Sequence, residues 1–343
     1  MDARSVQLEA AQSLLRTGVL LAAILAVLGL AAPSQAGQLW LSGVDPVVAA
    51  DRLATSKIAP TSGSNNDFMD LFQPNAPWPK SAASIQIVKV STQFLHRGSD
   101  AQLTAVIEDL RQRHIALALE AEILTATVKC GNGLPGYTTT AVIQKLADRV
   151  SRLGGQIEYV AFDEPIVWGR VTRGEHPCGY STREVVSNIA PNIRILKAAF
   201  PGVKFGDIEP VSDKTMAADR LNDLMDFAKL FQQQTGEQLS FLQADIIWQT
   251  PWRPQLAEWH KRLQAAGISY GVIIDGDPGD KTDIDWTQHA IERYRAVAND
   301  PSVRPDDFVF QSWQSRPTKL LPESKVGTLT SVVAQTIGAR RSQ

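Results

Sequence analysis

The sequence predicts one closed (β/α)8 barrel of the TIM type, an α/β fold spanning residues 37–343 behind a cleaved export signal at residues 1–36. Three observations point there. Eight short apolar segments of strand character each precede a segment of helical periodicity, and such alternation forces right-handed crossovers and a parallel sheet. Several of the strands end in acids, most clearly Ile157 to Pro165, which reads Ile-Glu-Tyr-Val-Ala-Phe-Asp-Glu-Pro. A strand buried on both faces is apolar throughout, so acids at successive C-terminal tips imply that the tips converge on one polar pocket. Finally, no glycine-rich phosphate loop follows the first strand, which sets aside an open doubly wound sheet.

The first strand is Gln38 to Val44, and Asp45-Pro46 behind it pairs an N-cap with proline at the first helical position. Residues 57–83 look irregular, as a functional or a disordered loop does, and Trp78 between two prolines points to an ordered lid as readily as to disorder. Strand two is Ile85 to Val90, and Ser99-Asp100 starts a helix with Leu103, Val106, Ile107 and Leu110 on one face. Strand three, Ile115 to Glu120, precedes a helix from Thr139 that stops at Gly154-Gly155. After strand four, Ser181-Thr182-Arg183-Glu184 forms a capping box, and Pro191 predicts a kink or break in the helix that follows. Strand five is Val203 to Glu209, strand six runs through Ile247, strand seven is Tyr270 to Asp275 and strand eight is Phe308 to Trp313. Pro254 and Asp285 mark two further helix starts, and a last helix fits Leu329 to Ile337.

Arg16, an apolar run from Val19 to Ala32 and Pro33-Ser34-Gln35-Ala36-Gly37 read as a secretory signal cleaved after Ala36. The run is shorter than the ~20 residues of a membrane-spanning helix, so no stable membrane association is expected once it is removed. Export, to a periplasm or the exterior, makes the two cysteines informative. Cys130 and Cys178 lie in the loops after strands three and four, neighbours at one end of the sheet, and an oxidising compartment predicts a disulfide between them. Neither cysteine has metal-ligand or C-x-x-C spacing, so neither a zinc site nor any cofactor is expected. A net charge of -2, from 34 basic and 36 acidic residues, gives no excess to hold nucleic acid. Nothing calls for an oligomer.

The candidate site residues follow from the barrel. Glu164 is the leading catalytic candidate, because a partly desolvated carboxyl among like charges has a raised pKa and can act as a general acid near neutral pH. Glu209 and Asp275, at the tips of strands five and seven, are its expected partners as base or nucleophile. Glu120, Asp163, Asp207 and Asp245 are expected to contact substrate, although Glu120 and Glu122 could instead bind a cation or, as the residues themselves favour, merely neutralise Lys89 across the mouth. Trp168, Trp248, Trp252 and Trp313 follow strand ends, where an indole face can stack on a sugar ring. Trp259, on an apolar helical stripe, is expected in the core. Carboxylates with aromatic platforms describe a glycan-processing site.

In these features the chain resembles the (β/α)8-barrel glycoside hydrolases. Phe162-Asp163-Glu164-Pro165 looks like their acid/base position on strand four, and Gln311-Ser312-Trp313 is similar to their substrate-stacking tryptophan on strand eight. The resemblance implies hydrolysis of a poly- or oligosaccharide. Two departures leave the stereochemical outcome open: Asp163 stands where retaining families have Asn, and Asp275 where they place a Glu nucleophile. Two other readings compete. Leu95-His96-Arg97-Gly98 is similar to the glycerophosphodiester phosphodiesterase pattern, in which carboxylates hold a divalent cation and the His moves protons. The other is an exported glycan-binding barrel without turnover, its acids serving as acceptors for sugar hydroxyls.

Overall fold

The structure, a computed structural model, describes residues 37–55, 67–170, 176–212 and 218–340. The expected export signal lies outside the described residues. Eight strands, β1 (Leu39–Ser42), β2 (Ile87–Ser91), β3 (Ala116–Ala121), β4 (Tyr159–Asp163), β5 (Lys204–Val211), β6 (Leu239–Ile246), β7 (Ser269–Ile274) and β8 (Asp307–Gln311), close into a parallel barrel. Each pairs with its neighbours in sequence, and β8 returns to β1 with Trp40 beside Val309. The predicted fold class is therefore the observed one.

Period-two alternation gives each strand an inward and an outward row. Trp40, Ala161, Ile208, Phe241, Ile273 and Val309, from six different strands, pack together as a separate inner cluster that fills the barrel. Outward residues such as Leu119, Phe162, Phe205 and Val272 join the larger cluster beneath the helices. The pairing of β5 with β6 slips at Phe205/Gly206, so that Phe205 lies beside Leu239 but Gly206 beside Phe241. Any Cβ on Gly206 would come within 2.3 Å of the Phe241 ring, which is why glycine stands at this close approach.

Several helix signals operate as read, but Trp252–Ala266 and Asp283–Ala298 begin two residues ahead of Pro254 and Asp285, and Thr182–Ala199 is not broken at Pro191. Asp45 Oδ1 accepts from the N–H groups of Val47 and Val48 at 2.9 and 3.0 Å and starts Pro46–Thr55. Ser181 and Glu184 form the capping box of Thr182–Ala199, which continues through Pro191. Residues 57–66 of the expected loop lie outside the described residues, and the described part, around Trp78, is packed as core and not as a lid. Trp78 is fully buried and donates from its indole N–H to Leu71 O at 2.9 Å, while Phe68 packs on Phe94 and Pro79–Ala82 lies against Leu329–Arg340. Its apolar side chains are drawn into the helical layer, where burial rewards them more than a position over the mouth would. The Cys130–Cys178 disulfide is formed and ties the loop after β3 to the loop after β4.

Candidate active site

Asp163 continues the inward row of β4 behind Tyr159 and Ala161, paired with Ile208 of β5. At Glu164 the chain leaves the ladder. Its backbone is left-handed, with φ 49°, and its N–H is shared between Phe162 O at 3.2 Å and Ile208 O at 3.1 Å. A left-handed glutamate is uncommon and persists only where its surroundings over-determine it. Pro165 then opens the helix Pro165–Arg170. The tip of β4 is thus a fixed turn that presents two consecutive carboxyl groups.

Beneath them a polar chain crosses the barrel. Lys89 of β2 is buried and its Nζ lies 2.5 Å from Glu120 Oε2 of β3 and 3.3 Å from Gln243 Oε1 of β6. Gln311 of β8 donates from Nε2 to Glu120 Oε2 at 3.0 Å. Glu120 therefore does neutralise Lys89, as one reading of the sequence had it. The far ends of the chain, Gln243 Nε2 and Gln311 Oε1, are buried and have no hydrogen-bond partner.

Like charges gather above this floor. Burial raises Asp163 to about 8, helped by Glu120 and Glu122 and opposed by Lys89. Burial and Glu120 hold Asp245 up at about 7, again against Lys89. Glu164 is pushed furthest, to about 9, by burial first and then by Glu209, Asp163, Asp245 and Glu120. Desolvation holds Glu122, half-buried beside Gln93, at about 7. At neutral pH several of these groups keep a proton, and a protonated carboxyl can serve as an acid.

The other expected residues are placed differently. Asp207 and Glu209 share the outward row of β5 with Phe205 and Val211, opposite in parity to Ile208, and so face the helices rather than the barrel axis. Glu209 Oε1 accepts from Ile166 N–H at 2.7 Å, and Asp207 is fully buried with neither oxygen in a well-formed hydrogen bond. Burial raises both well above the usual carboxylate range. Asp275 directly follows β7 but is fully engaged: it accepts from Trp248 Nε1 at 2.7 Å and Gln314 Nε2 at 2.9 Å, and pairs with Arg293 at 3.4 Å.

Of the four tryptophans expected to stack on substrate, Trp313 is the exposed one, at 42%. Trp168, Trp248 and Trp252 are partly buried against the core; Arg293 covers the Trp248 ring at 5.0 Å and Arg253 the Trp252 ring at 4.6 Å. Trp259 is in the core, as read. His96, central to the phosphodiesterase pattern, lines a surface groove between outer helices with Lys145 and Arg149. Burial first, and then those cations with Arg97, lower its pKa. Among the described residues no group of three or more His, Cys, Asp or Glu side chains is arranged to hold a metal ion. Sequence reading missed Gln243 altogether and treated Gln311 only as part of a motif. Their signal was an amide on an inward row, two residues from Phe241 and Val309.

No family model matches the chain, and no curated protein does. Solved structures do, at the level of the fold. A GH5_18 protein from Streptomyces cattleya in complex with GlcNAc is similar over 90% of this chain and 81% of its own, with TM-score 0.53 at 10% identity. Xylanase 10B from Thermotoga maritima is similar over 90% of this chain and 97% of its own, with TM-score 0.53 at 10% identity. A GH10 endoxylanase from a sugarcane soil metagenome covers 88% of this chain and 96% of its own, with TM-score 0.51 at 10% identity. The neighbours reported are thus glycoside hydrolases built on the same barrel.

Proposed function

We propose that the protein is an exported glycosidase in which Glu164 donates the proton to the departing glycosidic oxygen. One observation carries the reading: Glu164 is fixed by a left-handed turn at the tip of β4, among carboxyl groups that raise its pKa to about 9. It is therefore protonated at neutral pH, as a general acid must be before the bond breaks. Glycoside cleavage also needs a second carboxyl, ionised, to activate water or to stabilise the anomeric carbon. Asp245, on the inward row of β6 and near 7, supplies it. Asp163 raises Glu164 and is itself raised by Asp245. Glu209 and Asp275, whose carboxyl groups are taken up by Ile166 and by Trp248, Gln314 and Arg293, act as supports, not as base or nucleophile. Trp313 offers the stacking surface. The disulfide Cys130–Cys178 supports export to an oxidising compartment.

The experiment is release of reducing sugar from a panel of bacterial and plant polysaccharides by the mature protein and by Glu164→Gln, with and without a chelator. Turnover that survives chelation and drops about 10²- to 10⁴-fold in Glu164→Gln is expected. Loss of turnover to the chelator would support the phosphodiesterase reading; glycan affinity without turnover in the unaltered protein would leave a binding barrel.

A further inference from the structure

We infer that the sugar in this site carries a free amino group, so that the substrate is a polyamine glycan and not a neutral or uronic one. The inference rests on the glycosidase reading and adds the substrate class. Three independent features of the pocket lead to it.

The first is charge. Glu120, Asp163, Glu164 and Asp245 act on one another at the mouth, and Lys89 is the cation that opposes them at Asp163 and Asp245. Lys89 is already in contact with Glu120. One cation therefore faces four carboxyl groups. An entering anion would meet this imbalance and no free positive charge among the groups named, whereas a cation would relieve it.

The second is hydrogen bonding. Among the described residues, no side chain or backbone group donates a hydrogen bond to the carboxyl groups of Asp163, Glu164 or Asp245, and all three are half-buried, so their oxygens stand open to an entering ligand. A set of acceptors converging without donors fits a ligand rich in donors, and an ammonium group presents three and no acceptor.

The third lies in the floor, where Gln311, 4% exposed, turns its Nε2 to Glu120 and leaves Oε1 as a buried acceptor with no partner. Gln243, 1% exposed, leaves Nε2 as a buried donor. An acceptor and a donor at opposite ends of one chain suit a ring that offers a donor at one carbon and a hydroxyl at another. Protons held on the mouth carboxyls in the free protein do not oppose this: an incoming ammonium lowers their pKa, and a proton leaves as the ion pair forms.

The test is calorimetric titration of the mature Glu164→Gln protein with three tetrasaccharides, of glucosamine, N-acetylglucosamine and galacturonic acid, at about pH 6, where the amine is charged. The amino tetrasaccharide should bind on the order of tenfold or more tighter than its acetylated counterpart, the scale of one charge-assisted hydrogen bond. That margin should shrink as salt is raised, and should shrink again in Asp245→Asn, whose folding is checked by its melting temperature. Equal affinity for the two sugars, preference for the uronic one, or no binding of the amino sugar would overturn the inference. Because binding is read in a protein disabled for turnover, these outcomes are separate from failure of the glycosidase reading, which would show as an amine preference without hydrolysis by the unaltered protein.

Discussion

Strands β4 and β5 carry the same sequence signature, an apolar run ending in acids, yet their acids stand on opposite sides of the barrel wall. Asp163 shares an inward row with Tyr159 and Ala161 and opens onto the mouth. Asp207 and Glu209 share the outward row of Phe205 and Val211 and are sealed beneath helices. Both environments raise the pKa through burial, so a raised pKa alone does not separate them. What separates them is access. A carboxyl at the mouth can exchange protons with a ligand, while one behind the wall can act only on its neighbours. Glu209 acts in this second way: it holds Ile166 N–H at the start of the helix after Glu164, and it is the first charge after burial to raise Glu164.

The comparison breaks most visibly if the two sides are exchanged in their effects. Asp245→Asn should lower kcat/KM by about 10²-fold or more while leaving the melting temperature nearly unchanged, because the group faces substrate and has no protein partner to lose. Glu209→Gln should do the reverse, lowering the melting temperature by about 2–4 °C and kcat by less than about tenfold. Steady-state kinetics and thermal unfolding on the same preparations decide it. A Glu209→Gln protein that is inactive but as stable as the parent would place Glu209 among the catalytic groups.

A finer test lies in the pH profile. With Glu164 as the acid, kcat/KM should fall as pH rises through about 9, where its proton is lost. The ionised Asp163 is one cause of that high value. Asp163→Asn removes a negative neighbour, so the alkaline limb should move to lower pH. A limb that stays where it was would mean that another group supplies the proton.

Much of the barrel was legible because its signals are local. Apolar runs, caps at Asp45 and Ser181, and glycines at helix ends are written within a few residues, and strand–helix alternation then leaves little choice of topology. The Cys130–Cys178 pairing followed once two successive loops were put at one end of the sheet. The site was less legible, because the side of the wall on which an acid lies depends on strand parity. Parity is set by where each strand enters the ladder and by slips such as the one at Phe205/Gly206. In β5 the two rows read Phe205, Asp207, Glu209, Val211 and Gly206, Ile208, Pro210, and either could have faced inward. Only the approach of Gly206 to Phe241 across the pair decides it, and that contact joins distant parts of the chain. Trp78 failed for a similar reason: its partners, Leu71 and the outer helices, are not implied by the prolines that flank it.

Asp207 carries the smallest effect and isolates the cost of the sealed side. Its folded pKa lies well above the ordinary value near 4, so the native state holds this proton more tightly than the unfolded chain does. The favourable contribution is complete below about pH 4 and is lost as pH rises towards the folded pKa, the unfolded chain releasing its proton first. Asparagine at this position is neutral throughout and has no such dependence. Asp207→Asn should therefore match the parent near pH 4 after the loss of good packing is allowed for, and gain on it steadily as pH rises from there through neutrality. Urea unfolding of the two proteins across that range reads the difference directly. If the two curves run parallel, Asp207 is not a buried, proton-holding acid, and the division between the two sides of the wall would have to rest on Glu209 alone.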